Sequence, residues 1–167
     1  MNRKTGIAAV LAAGVAGLVA PAVAHVGTSP AEVHKGATFE VGFGIGHGCD
    51  GSPTVAVRLQ VPEGVTAVKP LVKPGWEIEV VKDGDRVTQV NWTGGSVDDA
   101  LYDRFTIRGQ VDDTVAEESV VYFPIVQECA AGVHRWISIP VEGQPEPEEP
   151  APGVRVLPAE EGGGHGH

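Results

Sequence analysis

The residues able to do chemistry in this 167-residue chain are few: six histidines, two cysteines and one methionine, Met1. His25 stands out by position. Pro21-Ala22-Val23-Ala24 ends in an A-x-A pattern, so cleavage after Ala24 makes His25 the new N-terminus. An N-terminal histidine offers its α-amine and imidazole Nδ1 from one residue, which together close a six-membered chelate on a metal ion. The amine gives up a proton of pKa about 7.7–8.0, so the chelate forms at little cost near neutral pH. Amine and imidazole nitrogens suit Cu(II) best among the first-row divalent ions.

The two cysteines lie in similar settings, Gly48-Cys49-Asp50-Gly51 and Glu128-Cys129-Ala130-Ala131-Gly132, each after an apolar run. In an exported protein a Cys49–Cys129 disulfide is the expectation, with a pair of free thiolates binding Cu(I) as the rival. A disulfide closing a loop of that length stabilises by roughly 4–5 kcal/mol in the chain-entropy account. It also ties the turn carrying His47 to the turn carrying His134 and Trp136, so these three are expected near each other. His34, in a polar turn, reads as a surface residue, and His165 and His167 as incidental members of a glycine-rich end.

What must position these groups is an all-β domain. Met1-Asn2-Arg3-Lys4 and the uncharged run Thr5 to Ala20 complete a signal peptide over residues 1–24, which places the mature chain in the periplasm or outside the cell. Nothing after it resembles a membrane span. Losing Arg3 and Lys4 takes the formal charge from −10 to −12, an acidic balance that argues against nucleic acid as a partner. Residues 25–141 alternate apolar and polar over Phe39–Ile45, Thr54–Val61, Trp76–Val81, Arg86–Trp92, Phe105–Val111, Ser119–Val126 and Arg135–Val141, with turn residues between them, Gly94-Gly95-Ser96 included. Asp83-Gly84 marks a hairpin. Ser96 to Tyr102 has room for one helical turn. Seven to eight strands predict an antiparallel Greek-key β-sandwich, immunoglobulin- or cupredoxin-like. Residues 142–167 read as a Pro/Glu-rich tail in which Val154–Leu157 is expected to strap back onto the domain and the stretch from Ala159 to be disordered.

Several motifs in fixed order carry a resemblance: His25-Val26, His47-Gly-Cys-Asp-Gly-Ser-Pro-Thr54, Arg58-Leu-Gln-Val-Pro-Glu-Gly-Val65, Lys73-Pro-Gly-Trp76, Trp92-Thr-Gly-Gly95, Tyr122-Phe-Pro-Ile-Val-Gln-Glu-Cys129 and His134-Arg-Trp136. The chain resembles the YcnI-like family of exported copper-binding domains, the DUF1775 family. The resemblance implies a β-sandwich that holds one Cu(II) through the amine and imidazole of His25, with Trp136 close to the metal. Members of the Bacillus type supply a glutamate from the second strand region. Here that region reads Gly44-Ile45-Gly46-His47-Gly48-Cys49, so His47 is expected in its place. An indole has only an N–H donor and a π-face, so Trp136 is expected to shield the ion and favour Cu(I) by a cation–π contact rather than ligate. His134 and Glu128 are candidates to orient a ligand imidazole, and Asp50 is an alternative ligand.

Two functional classes follow. One is a copper carrier that holds the ion or passes it to another envelope protein without turnover. The other is a copper redox enzyme, which would need an aromatic binding face; aromatics make up 5% of this chain. A blue-copper site is disfavoured because Met1 leaves with the signal peptide. A metal-free structural or adhesive sandwich completes the set.

Overall fold

The structure is a computed structural model that describes residues 25–160; residues 1–24, expected to be a signal peptide, and His165 and His167 lie outside the described residues. Twelve strands follow one another: β1 Gly27–Ser29, β2 Glu32–His34, β3 Thr38–Ile45, β4 Thr54–Gln60, β5 Val65–Pro70, β6 Glu77–Asp83, β7 Arg86–Val97, β8 Asp103–Val111, β9 Val120–Tyr122, β10 Ile125–Cys129, β11 Val133–Trp136 and β12 Gly153–Leu157. They form three sheets, ordered β1-β3-β8-β5, β11-β10-β4-β7-β6 and β2-β12-β9. All pairings are antiparallel except β12 with β2. The first two sheets are the layers of the sandwich. Their inward aromatics meet edge to face across it, Trp92 with Phe105 at 5.5 Å and Trp76 with Phe105 at 4.9 Å between ring centres. Among the described residues no helix is long and apolar enough to cross a membrane.

The alternating runs became β3, β4, β6, β7 and β8, and the Asp83↔Arg86 pairing confirms the hairpin. The differences have physical causes. Strands β1 and β2 are three residues each, too short for a period to show. In β5 the buried residues Val65 and Val68 are three apart, because Ala67 takes φ +51° and the register shifts between Thr66 and Lys69. The run Ser119–Val126 is two strands in different sheets, β9 on β12 and β10 on β4, separated at Phe123-Pro124. Proline has no N–H to give a ladder. The last run begins and ends earlier than expected, at Val133 and Trp136, and Ile137, Ile139 and Val141 beyond it are exposed.

Gly94-Gly95-Ser96 is not a turn but the continuation of β7. Gly95 is required there, since a Cβ would lie 2.3 Å from Trp76 Cε2. No helical turn forms over Ser96–Tyr102. Residues 96 and 97 finish β7, and Asp98 accepts from the Leu101 amide in a single turn.

The strap is a strand. β12 lies between β2 and β9, and its Val154 and Val156 are buried in the main core. Val156→Ala is expected to cost about 1–3 kcal/mol in denaturant unfolding, the price of lost methyl groups plus a partly unfilled cavity. Val120→Ala, at a position 44% exposed on the neighbouring β9, is expected to cost less than about 0.5 kcal/mol.

Candidate metal site

Three separate constraints bring the histidines together. First, β1 pairs with β3 so that Gly27 faces Gly44, and this register carries His25 to the level of Gly46 and His47. Second, the chain after β3 is pinned in a tight turn. Gly48 N–H donates to Asp99 Oδ1 at 2.8 Å, and Cys49 and Ser52 exchange backbone hydrogen bonds. A Cβ at Gly48 would meet the Ser52 carbonyl at 1.9 Å, so only glycine lets the turn close. Third, Cys49 and Cys129 form the expected disulfide, with Cα atoms 6.0 Å apart. It fastens this turn to the end of β10.

The β10–β11 hairpin then sets the remaining groups. Gln127 faces His134 and Ile125 faces Trp136, so His134 and Trp136 share the inward face of β11. The rings converge. His134 lies 5.1 Å and His47 6.1 Å from Trp136 between ring centres, His25 lies 6.2 Å from it, and His47 and His134 are 5.5 Å apart. Trp136 is 3% exposed, covered by these neighbours and the core.

Beneath the rings is a residue that sequence reasoning missed. Gln127 is fully buried, 1% exposed. Its Nε2 donates to the His47 carbonyl and to Thr54 Oγ1, each at 2.7 Å, while its Oε1 accepts from Trp136 Nε1 at 3.0 Å. The amide orientation is dictated, because an indole N–H only donates and a carbonyl only accepts. Its signal was a polar residue at an inward position of β10, between the buried Ile125 and Cys129.

Other missed groups come from the Pro/Glu-rich segment. Glu149 Oε1 is 2.7 Å from His134 Nδ1, and its Oε2 accepts from Arg135 N–H at 3.0 Å. Glu146 Oε1 is 3.5 Å from His25 Nδ1. No sequence signal distinguished these glutamates from their neighbours.

Two candidates stand outside the cluster. Glu128 alternates with the inward residues of β10 and faces outward, where it pairs with Arg58 Nε at 2.7 Å. It therefore orients no histidine. The hydrogen bond from Arg58 holds its carboxyl below the usual range, against a smaller opposing effect of burial. Asp50 is exposed in the tight turn. His34 sits at the surface against the Pro158 carbonyl.

The ring nitrogens bear on metal chemistry. His47 Nδ1 is 2.7 Å from the Gly48 carbonyl, which can only accept, so Nδ1 carries the proton and Nε2 the lone pair. His134 Nδ1 against the Glu149 carboxylate implies the same tautomer. Metal-binding histidines are commonly held this way. Two imidazoles on one ion, with metal–nitrogen bonds of about 2 Å, bring their ring centres to roughly 4.5–6.5 Å, and the His47–His134 pair falls within that range. Among the described residues, no three His, Cys, Asp or Glu side chains stand together closely enough to hold an ion without rearrangement. The ring-centre separation of this pair is compatible with a shared ion, for which a third donor would have to move in.

A family model described as "Domain of unknown function (DUF1775)" matches residues 25–156. Among solved structures, an uncharacterized protein from Nocardia farcinica, reported as having an immunoglobulin-like fold, superposes with a TM-score of 0.66 at 24% identity. The match covers 80% of this chain and 96% of that one, and it establishes the fold alone. No curated protein matches the sequence.

Gln127→Leu keeps the bulk but removes the hydrogen bonds that Gln127 gives the Trp136 N–H, the Thr54 hydroxyl and the His47 carbonyl. It is expected to destabilise by about 2–4 kcal/mol in urea unfolding, with a shifted tryptophan emission. A separate expectation concerns pH. Because the Glu128 pKa is lowered in the folded state, the Arg58–Glu128 pair contributes its full stability above the unfolded carboxyl value and loses it as pH falls through the folded one. Glu128→Gln should thus lower stability at pH 7 by about 0.5 kcal/mol for this half-exposed pair, and thermal melts of the two proteins should converge in acid.

Proposed function

The chain belongs to the DUF1775 family, and from that premise we propose that it is an exported, non-enzymatic protein that binds one Cu(II) and serves copper trafficking or homeostasis. The amine and imidazole of His25, freed by cleavage after Ala24, form the primary chelate, and His47 adds a third nitrogen. Trp136 walls one side of the ion and favours passage through Cu(I), which suits transfer to another envelope protein.

The observation that carries this reading is the convergence of His25, His47 and His134 on the buried ring of Trp136, from segments far apart in the chain. A cluster of imidazoles at one end of a sandwich, tied by a disulfide, has nitrogen donors suited to Cu(II). The amide of Gln127 occupies the indole N–H, so the tryptophan offers the ion only its face or edge. Holding rather than turnover fits a site set against a buried indole, in a chain poor in aromatic side chains for a substrate to stack on.

A metal-free structural sandwich is the second reading. The observation favouring it is that His25, His47 and His134 each have a hydrogen-bonding or ionic neighbour within the protein and no three ligands are ready-placed.

Titration of the processed chain with Cu(II) separates the two. One equivalent bound, with a copper–nitrogen pattern in electron paramagnetic resonance, supports copper holding; no binding leaves the structural sandwich. A single Gly placed ahead of His25 keeps every side chain but replaces the amine with a peptide nitrogen. Affinity measured against a competing chelator at pH 7 is expected to fall by about a hundredfold, the value of an intramolecular second bond, with the melting temperature of the metal-free protein unchanged. His47→Ala is expected to loosen binding, and His34→Ala to leave it as it was.

A further inference from the structure

We propose that Glu149 is a positioning residue that makes His134 a copper ligand through Nε2, so that the Pro/Glu-rich segment forms one wall of the site. This rests on the copper reading and goes beyond it, since that reading needs only His25 and His47.

The argument begins with how firmly Glu149 is held. The chain after Trp136 and the chain before β12 run side by side as a parallel bridge between Ser138 and Pro150. Ser138 N–H donates to the Glu149 carbonyl at 3.2 Å, and Ala151 N–H donates to the Ser138 carbonyl at 2.8 Å. The backbone is thereby fixed from the Glu149 carbonyl to Ala151. The Glu149 side chain is fixed as well, because one carboxylate oxygen takes the Arg135 amide while the other meets His134 Nδ1. The two contacts use adjacent residues of β11 and define the plane of the carboxylate.

The consequence falls on His134. An ionised carboxylate is an acceptor only, so the proton of a neutral His134 ring sits on Nδ1 and the basic lone pair on Nε2. This carboxylate–imidazole arrangement both selects the tautomer and makes the ring a better donor to a metal. His134 is held next to His47 with their rings nearly perpendicular, at 86°, and with Trp136 behind it. His47 has the same tautomer, set by the Gly48 carbonyl. Two imidazoles from different turns thus share one tautomer and stand with their ring centres at a separation compatible with one ion.

The test uses the processed chain and two readouts, one of which needs no copper. In metal-free protein at about pH 8, long-range proton–nitrogen correlation spectra report which ring nitrogen bears the proton. The expected result is an Nδ1–H tautomer for His134, lost in Glu149→Ala and retained in Glu149→Gln, whose amide oxygen still accepts. With one equivalent of Cu(II), His134→Ala and Glu149→Ala are each expected to weaken binding about tenfold or more, and His134→Ala to alter the nitrogen hyperfine pattern. Glu149→Gln should recover most of the affinity. If His134→Ala leaves affinity and spectrum unchanged while the parent binds copper, the ligand assignment is overturned and the copper reading stands. An Nε2–H tautomer for His134 in the parent also overturns it. If the parent binds no copper, both fall together. Thermal melts of each metal-free variant show whether a loss of binding accompanies a loss of fold, and a Glu149→Gln protein that melts normally yet binds as weakly as Glu149→Ala counts against the positioning role.

Discussion

The covalent tie between Cys49 and Cys129 locks the histidine end of the molecule. It reinforces the meeting of two turns that sheet pairing begins, with Cys129 opposite Thr54 and the Ala130 N–H donating to the Pro53 carbonyl. One turn follows β3 in the first sheet; the other follows β10 in the second. Sandwich layers cohere through their cores, yet loops at their ends are free to diverge. Here they cannot. With the tie in place, the Gln127 amide reaches the His47 carbonyl, and the indole of Trp136 closes the same network from β11. The two interactions depend on each other. The disulfide and the β4–β10 pairing together hold the turns within reach, and the buried amide, fully satisfied, fixes their separation at hydrogen-bond precision.

The parts of this architecture that were legible in the sequence are those governed by period two. A strand such as β8 alternates cleanly because one of its faces is in the core and the other in water. Cysteine arithmetic and compartment also sufficed for the disulfide, and the disulfide for the meeting of His47, His134 and Trp136. What escaped had no periodic signal. The break at Ala67 depends on a positive φ at a non-glycine residue, which no composition announces. The continuation of β7 through Gly94 and Gly95 depends on Trp76 lying over Gly95, a contact from another strand. A pair of glycines before a serine reads as a turn until the indole that needs their flatness is known.

The Pro/Glu-rich segment shows the limit most clearly. By composition it buries nothing and should be solvated chain, and most of its residues are indeed exposed. Its order is borrowed at both ends. On one side it joins β11, whose position is set by β10; on the other it joins β12, whose valines are in the core. Anchored so, a segment without a core of its own still delivers Glu146 and Glu149 to defined places. Glu128 is the converse case: adjacent to Gln127 and to Cys129, it seemed well placed in sequence, yet strand alternation turns it to the outer face and to Arg58.

On the copper reading, the two glutamates delivered by this segment act in opposite senses, although each meets an Nδ1. His134 is internal, so its Nδ1 has no chelating amine beside it. A carboxylate there costs the metal nothing and prepares Nε2. His25 is different, because the six-membered chelate with its own α-amine needs Nδ1 itself. Glu146 lies at that nitrogen, so the metal and the carboxylate compete for it. The contest is unequal. At 3.5 Å, with the Glu146 side chain 66% exposed, the contact is a screened surface interaction worth at most about 1 kcal/mol. The Glu149 contact is shorter, and its carboxylate is shared with a backbone amide. A copper ion bound by His25 would therefore displace the weaker carboxylate and keep the stronger one. The same segment would then leave His25 able to turn toward the ion while His134 stayed where the fold has put it.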